Sequence, residues 1–126
     1  MTAVAWKSEP ENHDYPAAAS YLALLAPDGL VEKAVKRLKK APLSHYKAKD
    51  ILRASGLPLL DKDNPHVAAD LGKIADGKAL SPVLIVRGDL TVGVHAQIAD
   101  GYHRVCASYH VDENTDIPCH IAEIPG

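Results

Sequence analysis

Apolar residues recur along this chain with two different periods, and the change of period marks out its elements. After a polar, proline-interrupted stretch over residues 1–14, Pro16 opens an Ala- and Leu-rich segment, 17–26, whose composition predicts a short buried helix. The first fourteen residues are expected to form a loosely ordered arm unless Trp6 docks on the body. Pro27-Asp28-Gly29 breaks that helix. Asp28 is placed to cap a second one, in which Leu30, Val31, Ala34, Val35 and Leu38 form an apolar stripe that ends near Ala41-Pro42. Residues 49–53 fit a short strand or a helical turn, closed by Gly56 and Pro58. Beyond a turn at 61–65, Val67, Leu71 and Ile74 share a helical face, with Asn64 as cap, Pro65 at the first position and Gly77 at the C-terminal end. Residues 81–86 are almost continuously apolar and read as a buried strand. A Gly88-Asp89 turn leads to 92–99, where Val92, Val94, Ala96 and Ile98 share one parity, so the two strands predict a hairpin. From His103 onward, Val105, Cys106, Tyr109 and His110 recur at helical spacing, and a last strand is expected over 117–124.

The join between the second strand and the next helix carries the most chemistry. Asp100-Gly101-Tyr102-His103-Arg104 places a glycine, which lets the backbone approach a ligand, just before a helix start whose first N–H groups have no partners. Unpaired amides, the positive end of the helix dipole and the Arg104 guanidinium together suit an anion such as phosphate. The Asp100 carboxylate has three readings: it caps the helix, holds Arg104, or touches a metal or substrate hydroxyl. Against all this stands the ordinary reading, an Asp-Gly turn before a helix with Arg104 solvated in the first turn.

Length and composition set the frame. At 126 residues, 47% hydrophobic and 24% charged, the chain is expected to be one soluble globular domain, and with only 5% aromatic residues its core must be built from Ala, Val, Leu and Ile. No apolar run is long enough to span a bilayer, and the N-terminus lacks the charge-then-apolar order of a signal peptide, so the expectation is a cytoplasmic protein without a membrane partner. Cys106 and Cys119 read as small packing residues rather than a disulfide or a nucleophile. The net charge of −2 hides an asymmetry: residues 33–53 hold Lys33, Lys36, Arg37, Lys39, Lys40, Lys47, Lys49 and Arg53 against the single acid Asp50. Such a run marks a solvated helix face or a surface for nucleic acid.

Residues 64–124, about half the chain, resemble the ParB/sulfiredoxin superfamily. The resemblance lies in the helix from Val67 to Ile74, Pro82-Val83-Leu84-Ile85-Val86, Ile98-Ala99-Asp100-Gly101-Tyr102-His103-Arg104, Ala107-Ser108 and Ile117-Pro118, in matching order and spacing. It implies an α+β fold, a compact ParB/sulfiredoxin-like domain with a small mixed sheet flanked by helices. Residues 1–45 would be an added N-terminal arm and helical segment packed on a 46–126 body as one structural unit. It further implies that the turn binds the phosphates of a nucleotide of the ATP/ADP or CTP class with Mg²⁺. Gly101, Tyr102, His103 and Arg104 would grip the ligand, and Lys73, with His66 on the same helix, and Arg53 would be further phosphate contacts. Asp100, His103 and Arg104 would then be catalytic, with Asp100 as the metal ligand or base.

Two departures limit what the resemblance implies. Sulfiredoxins carry a reactive cysteine where this chain has Tyr102, and Cys106 lies a helical turn away, so sulfinic-acid reduction is not expected. The helical DNA-reading domain of chromosome-partitioning ParB proteins has no counterpart in these residues. The chain is closest to stand-alone ParB-like domains, for which phosphoryl transfer, nucleotide hydrolysis and nuclease activity are the implied reactions, with a nucleotide or phosphorylated small molecule as partner. His95, His103, His110 and His120 with Asp100 or Asp112 supply donors for a structural metal, but without tight ligand spacing they read first as surface and capping groups. The competing function is a non-catalytic nucleic-acid-binding or regulatory module that uses residues 33–53.

Overall fold

Val83, Leu84, Ile85 and Val86 have no polar face to offer water, and the chain covers them on both sides. A computed structural model describes residues 3–124. In chain order the elements are α1 (Asp14–Leu22), α2 (Asp28–Lys40), β1 (Leu43–Lys47), α3 (Ala48–Ser55), α4 (Pro65–Ala75), β2 (Val83–Val86), β3 (Gln97–Asp100), α5 (Tyr102–Val111) and β4 (Asp116–Ala122). The strands form one mixed sheet in the order β1-β4-β2-β3, with β2 and β4 parallel and the two outer pairs antiparallel. The fold class is α+β.

Alternation along the strands divides the core into two layers. Val83, Ile85, Ile98, Ile117 and Cys119 pack with Ile51, Leu52, Val67, Ile74, Val105 and Cys106 of α3, α4 and α5. On the other face Leu84, Val86, Ala99 and Ala122 pack with Ala18, Leu22, Val31, Ala34 and Leu38 of α1 and α2. The expected boundary between residues 45 and 46 falls inside β1, which pairs along its whole length with β4.

Local signals explain most element ends. Asn64 accepts hydrogen bonds from the N–H groups of His66 and Val67 at 3.0 and 3.2 Å, and Pro65 follows it. The first helix starts two residues earlier than Pro16 suggests, and the proline is tolerated in the first turn, where its missing N–H has no partner to lose. Asp28 does not cap α2: Pro27 occupies the N-cap and Asp28 the first helical turn, where its charge favours the dipole. Residues 49–53 belong to a helix, and the strand β1 just before it was not anticipated.

The segment 92–99 departs most from expectation. Its first half is a one-turn 3-10 helix over Leu90–Val92, anchored by Asp89, whose side chain accepts from the Thr91 N–H, and ended by Gly93 at φ +70°. Val92 and Val94 are exposed, and only Gln97–Asp100 pairs as a strand, antiparallel to β2 as the hairpin reading required. Turn chemistry overrides the valine parity here. The N-terminal arm is docked: Trp6 bridges Leu80, the Lys7 N–H donates to the Leu80 carbonyl at 2.8 Å, and Val4 and Trp6 pack on the core.

Candidate functional site

The strand β3 ends beside a register shift, Leu84 facing Asp100 while Ile85 faces Ile98, which leaves Ala99 as an extra residue and re-aims Asp100. Gly101 follows at φ +116° and is the N-cap of α5 without a side-chain cap. A Cβ there would meet Val83 Cγ2 at 2.8 Å and Arg104 Nη2 at 2.9 Å, so glycine is required by both backbone and space. The turn is tight because the guanidinium folds back against it. Arg104 Nη2 donates to Asp100 Oδ2 at 3.1 Å and to the Pro82 carbonyl at 3.3 Å. The two side chains are only 16% and 18% exposed.

Across from this turn lies α4, and between them is an open pocket of about 220 Å³ lined by His66, Ala69, Asp70, Lys73, Asp100, Gly101, His103 and Arg104. His66 and His103 stand with ring centroids 4.7 Å apart. Burial and the neighbouring His66 both lower the pKa of His103, so its ring is neutral at neutral pH. Asp70 lies 4.0 Å from Lys73, and burial raises its pKa against the opposing pull of Lys73, Arg104 and the two histidines. Burial likewise raises the pKa of Asp100, outweighing Arg104, and a second carboxyl, Asp14 of α1, adds a smaller push in the same direction. Each cation of the pocket is therefore matched by an acid.

The sequence-derived candidates divide cleanly. Lys73, Asp100, Gly101, His103 and Arg104 meet in this pocket, as does His66. Tyr102 does not: its hydroxyl reaches the other way and donates to the Pro58 carbonyl. Arg53 does not either, since its side chain is 87% exposed on α3 and pairs with Asp50 at 3.6 Å. Among the three readings of Asp100, the structure shows it holding Arg104.

The metal readings find little support in geometry. Among the described residues no group of three His, Cys, Asp or Glu side chains is arranged to hold an ion. His110 donates to the Leu60 carbonyl at 2.7 Å, His120 to the Ala41 carbonyl at 2.9 Å, and His95 lies against Gly56. Cys106 and Cys119 are free and buried, and burial pushes Cys119 up to about 11, far from a thiolate at neutral pH.

Sequence reasoning missed Asp70 and Asp14. Asp70 was accessible in principle, because His66, Asp70 and Lys73 fall four and three residues apart on one helical face. Asp14 was hidden among the acids of a polar N-terminus, and only the packing of α1 against β3 brings it to Asp100.

Fold and site together define a class: an α+β protein with a small polar pocket, rich in imidazole and paired charge, at the N-terminus of a helix. No protein-family model, curated protein or solved structure matches the chain. Among the described residues no helix is long and apolar enough to cross a membrane.

Proposed function

We propose that the pocket between α4 and α5 binds the phosphate end of a nucleotide or of another phosphorylated small molecule. One observation carries this reading: Arg104, Lys73, two imidazoles and the uncapped N-terminus of α5 converge on one open cavity. The first-turn amides of α5 and the dipole favour negative charge, and Lys73 and Arg104 supply charge-assisted donors. At about 220 Å³ the cavity lies below the about 300–1,000 Å³ typical of sites that enclose a drug-sized ligand. It therefore takes a phosphate group and leaves the rest of the ligand outside.

If chemistry follows binding, hydrolysis or transfer of the phosphoryl group suits the site. That reaction needs positioning and charge stabilisation above all, and neutral His103 is able to accept a proton from an attacking water. A resident magnesium ion does not fit at Asp100, because its carboxylate is already tied to Arg104 and no group of three metal-ligating side chains surrounds it among the described residues. Magnesium enters this reading only as an ion carried by a polyphosphate.

The test is a thermal-shift panel of inorganic phosphate, pyrophosphate and nucleotides, each with and without magnesium. A ligand at about a hundred times its Kd adds about 2.7 kcal/mol, which raises the melting temperature visibly. Lys73→Ala, at a half-exposed position, is expected to weaken binding about tenfold or more without altering the stability of the free protein. No shift with any of these anions removes the reading.

The competing surface lies elsewhere. The outward face of α2 presents Lys33, Lys36, Arg37, Lys39 and Lys40, of which Arg37 donates to the Glu123 carbonyl and Lys39 lies over the Tyr15 ring. Oligonucleotide binding through this face would fall steeply with salt and survive Lys73→Ala.

A further inference from the structure

A cavity of about 580 Å³ lies in the other layer of the fold, away from the α4–α5 pocket and against α1 and α2. Its size falls within the about 300–1,000 Å³ typical of small-molecule sites. Leu22, Val31, Ala34 and Val86 are buried at its floor, and Leu25 and Val94, each more than half exposed, stand at its mouth. The loops on either side carry more apolar surface: Leu24 beside Leu25, and Leu90, 97% exposed, and Val92 in the loop that holds Val94. Isolated apolar side chains on a surface are ordinary, but a group of them around a concave site marks a place where a ligand or partner sits.

The walls specify the body of the occupant. They are aliphatic, with no Phe, Tyr or Trp among the described lining residues, so they offer dispersion contacts to a hydrocarbon chain and no stacking partner for a planar ring. The rim specifies the head. Just past β4, two guanidinium groups meet one carboxylate: Arg87 Nε pairs with Glu123 Oε1 at 3.1 Å, and Arg37 Nη1 donates to the Glu123 carbonyl at 3.0 Å. A bond to a carbonyl satisfies a donor and neutralises no charge, so this corner keeps an excess of positive charge. Asp89, the other acid of the rim, is turned into its own loop, where it accepts from the Thr91 N–H and hydroxyl. Arg87 and Glu123 are both more than half exposed, which leaves the guanidinium open to a ligand arriving from water.

We propose that this cavity binds a single-chain anionic amphiphile: an aliphatic carboxylate whose chain fills the space between α1, α2 and β2 and whose head pairs with Arg87 and Arg37. A planar guanidinium fork matches a carboxylate in geometry as well as in charge. A flexible chain reaches Ala34 and Val86 at the floor, whereas a second copy of the protein or another flat surface covers the loops and leaves the floor unfilled. The site is separate from the α4–α5 pocket and does not rest on the anion-binding reading of it.

The test is titration calorimetry of the full chain with octanoate, decanoate, decanol and decylammonium, each below its micelle concentration. Decanoate is expected to bind more tightly than octanoate by about fourfold for each added methylene, with decanol weaker and decylammonium weakest. Arg87→Gln, at an exposed position, removes the preference for decanoate over decanol. Val94→Asp, at the exposed mouth, weakens decanoate about tenfold or more and leaves the melting temperature unchanged. Absence of binding by every chain, equal binding of decanoate and decanol, or decanoate binding that Val94→Asp does not alter each overturns the proposal.

Three further arms exclude other occupants. Saturating inorganic phosphate is expected to leave decanoate bound, and displacement overturns the proposal by placing the carboxylate in the α4–α5 pocket. Vesicles of phosphatidylglycerol are expected to leave the protein in solution, and sedimentation with them that Val94→Asp abolishes overturns it in favour of a bilayer surface. Light scattering is expected to give the same mass for the wild type and Val94→Asp. A dimer that this substitution dissolves overturns the proposal in favour of a second copy of the chain.

Discussion

Gly101 joins backbone geometry to electrostatics in a single residue. Its φ of +116° and its contacts with Val83 and Arg104 leave no room for a Cβ. Gly101→Ala is therefore expected to cost about 1–3 kcal/mol of stability by denaturant unfolding and to displace Arg104 from Asp100, weakening anion binding in the fraction that remains folded. Asp70 gives a second expectation, with a definite sign. Its pKa is raised by folding, so the stabilisation associated with its proton is complete below the unfolded value and is lost as pH rises through the folded one. Asp70→Asn should then raise the melting temperature at pH 7 and leave it unchanged near pH 3, below the ordinary aspartate pKa of about 3.9. A loss of stability at pH 7 would mean that the Lys73 pairing outweighs burial.

Helix α4 forms one wall of the pocket, and its position depends on its cap. Asn64 satisfies two of the free N–H groups of the first turn, so Asn64→Ala is expected to cost about 1 kcal/mol in urea unfolding and to loosen His66, the first pocket residue after it. This helix was legible from the sequence because Asn64, Pro65 and Gly77 mark its ends and its apolar residues keep one period. The strand β2 was legible because four successive buried positions need no alternation. By contrast β1 gave no sign of itself: it is an edge strand, mostly exposed, with Leu43 and Tyr46 open to solvent and no inward parity to detect. The valines at 92 and 94 suggested pairing that a 3-10 turn and Gly93 prevent, because local turn bonding outcompetes parity where neither face is buried. At the site, the residues of one contiguous turn were readable, and Lys73 and His66 of α4 entered through the family resemblance, whereas Asp70 of α4 and Asp14 of α1 were missed. Their proximity is a property of packing alone.

At the scale of the whole molecule, the docked arm closes the α3–α5 layer. Trp6 lies half-buried against Leu80, and Trp6→Ala is expected to destabilise the protein by about 1–3 kcal/mol, less than for a fully buried aromatic residue, with pocket affinity unchanged once folded. The order β1-β4-β2-β3 has one more consequence, for the time course of assembly. Strand β4 follows every other described element in the chain and yet sits inside the sheet, between β1, more than seventy residues upstream at Ser44 opposite Cys119, and β2. During synthesis, the β2–β3 hairpin and the pocket turn leave the ribosome before the strand that joins them to β1. A nascent chain that stops at α5 thus carries every pocket residue and no continuous sheet to hold them. Its binding capacity should arrive in one late step, when β4 inserts and closes the long loop back to β1.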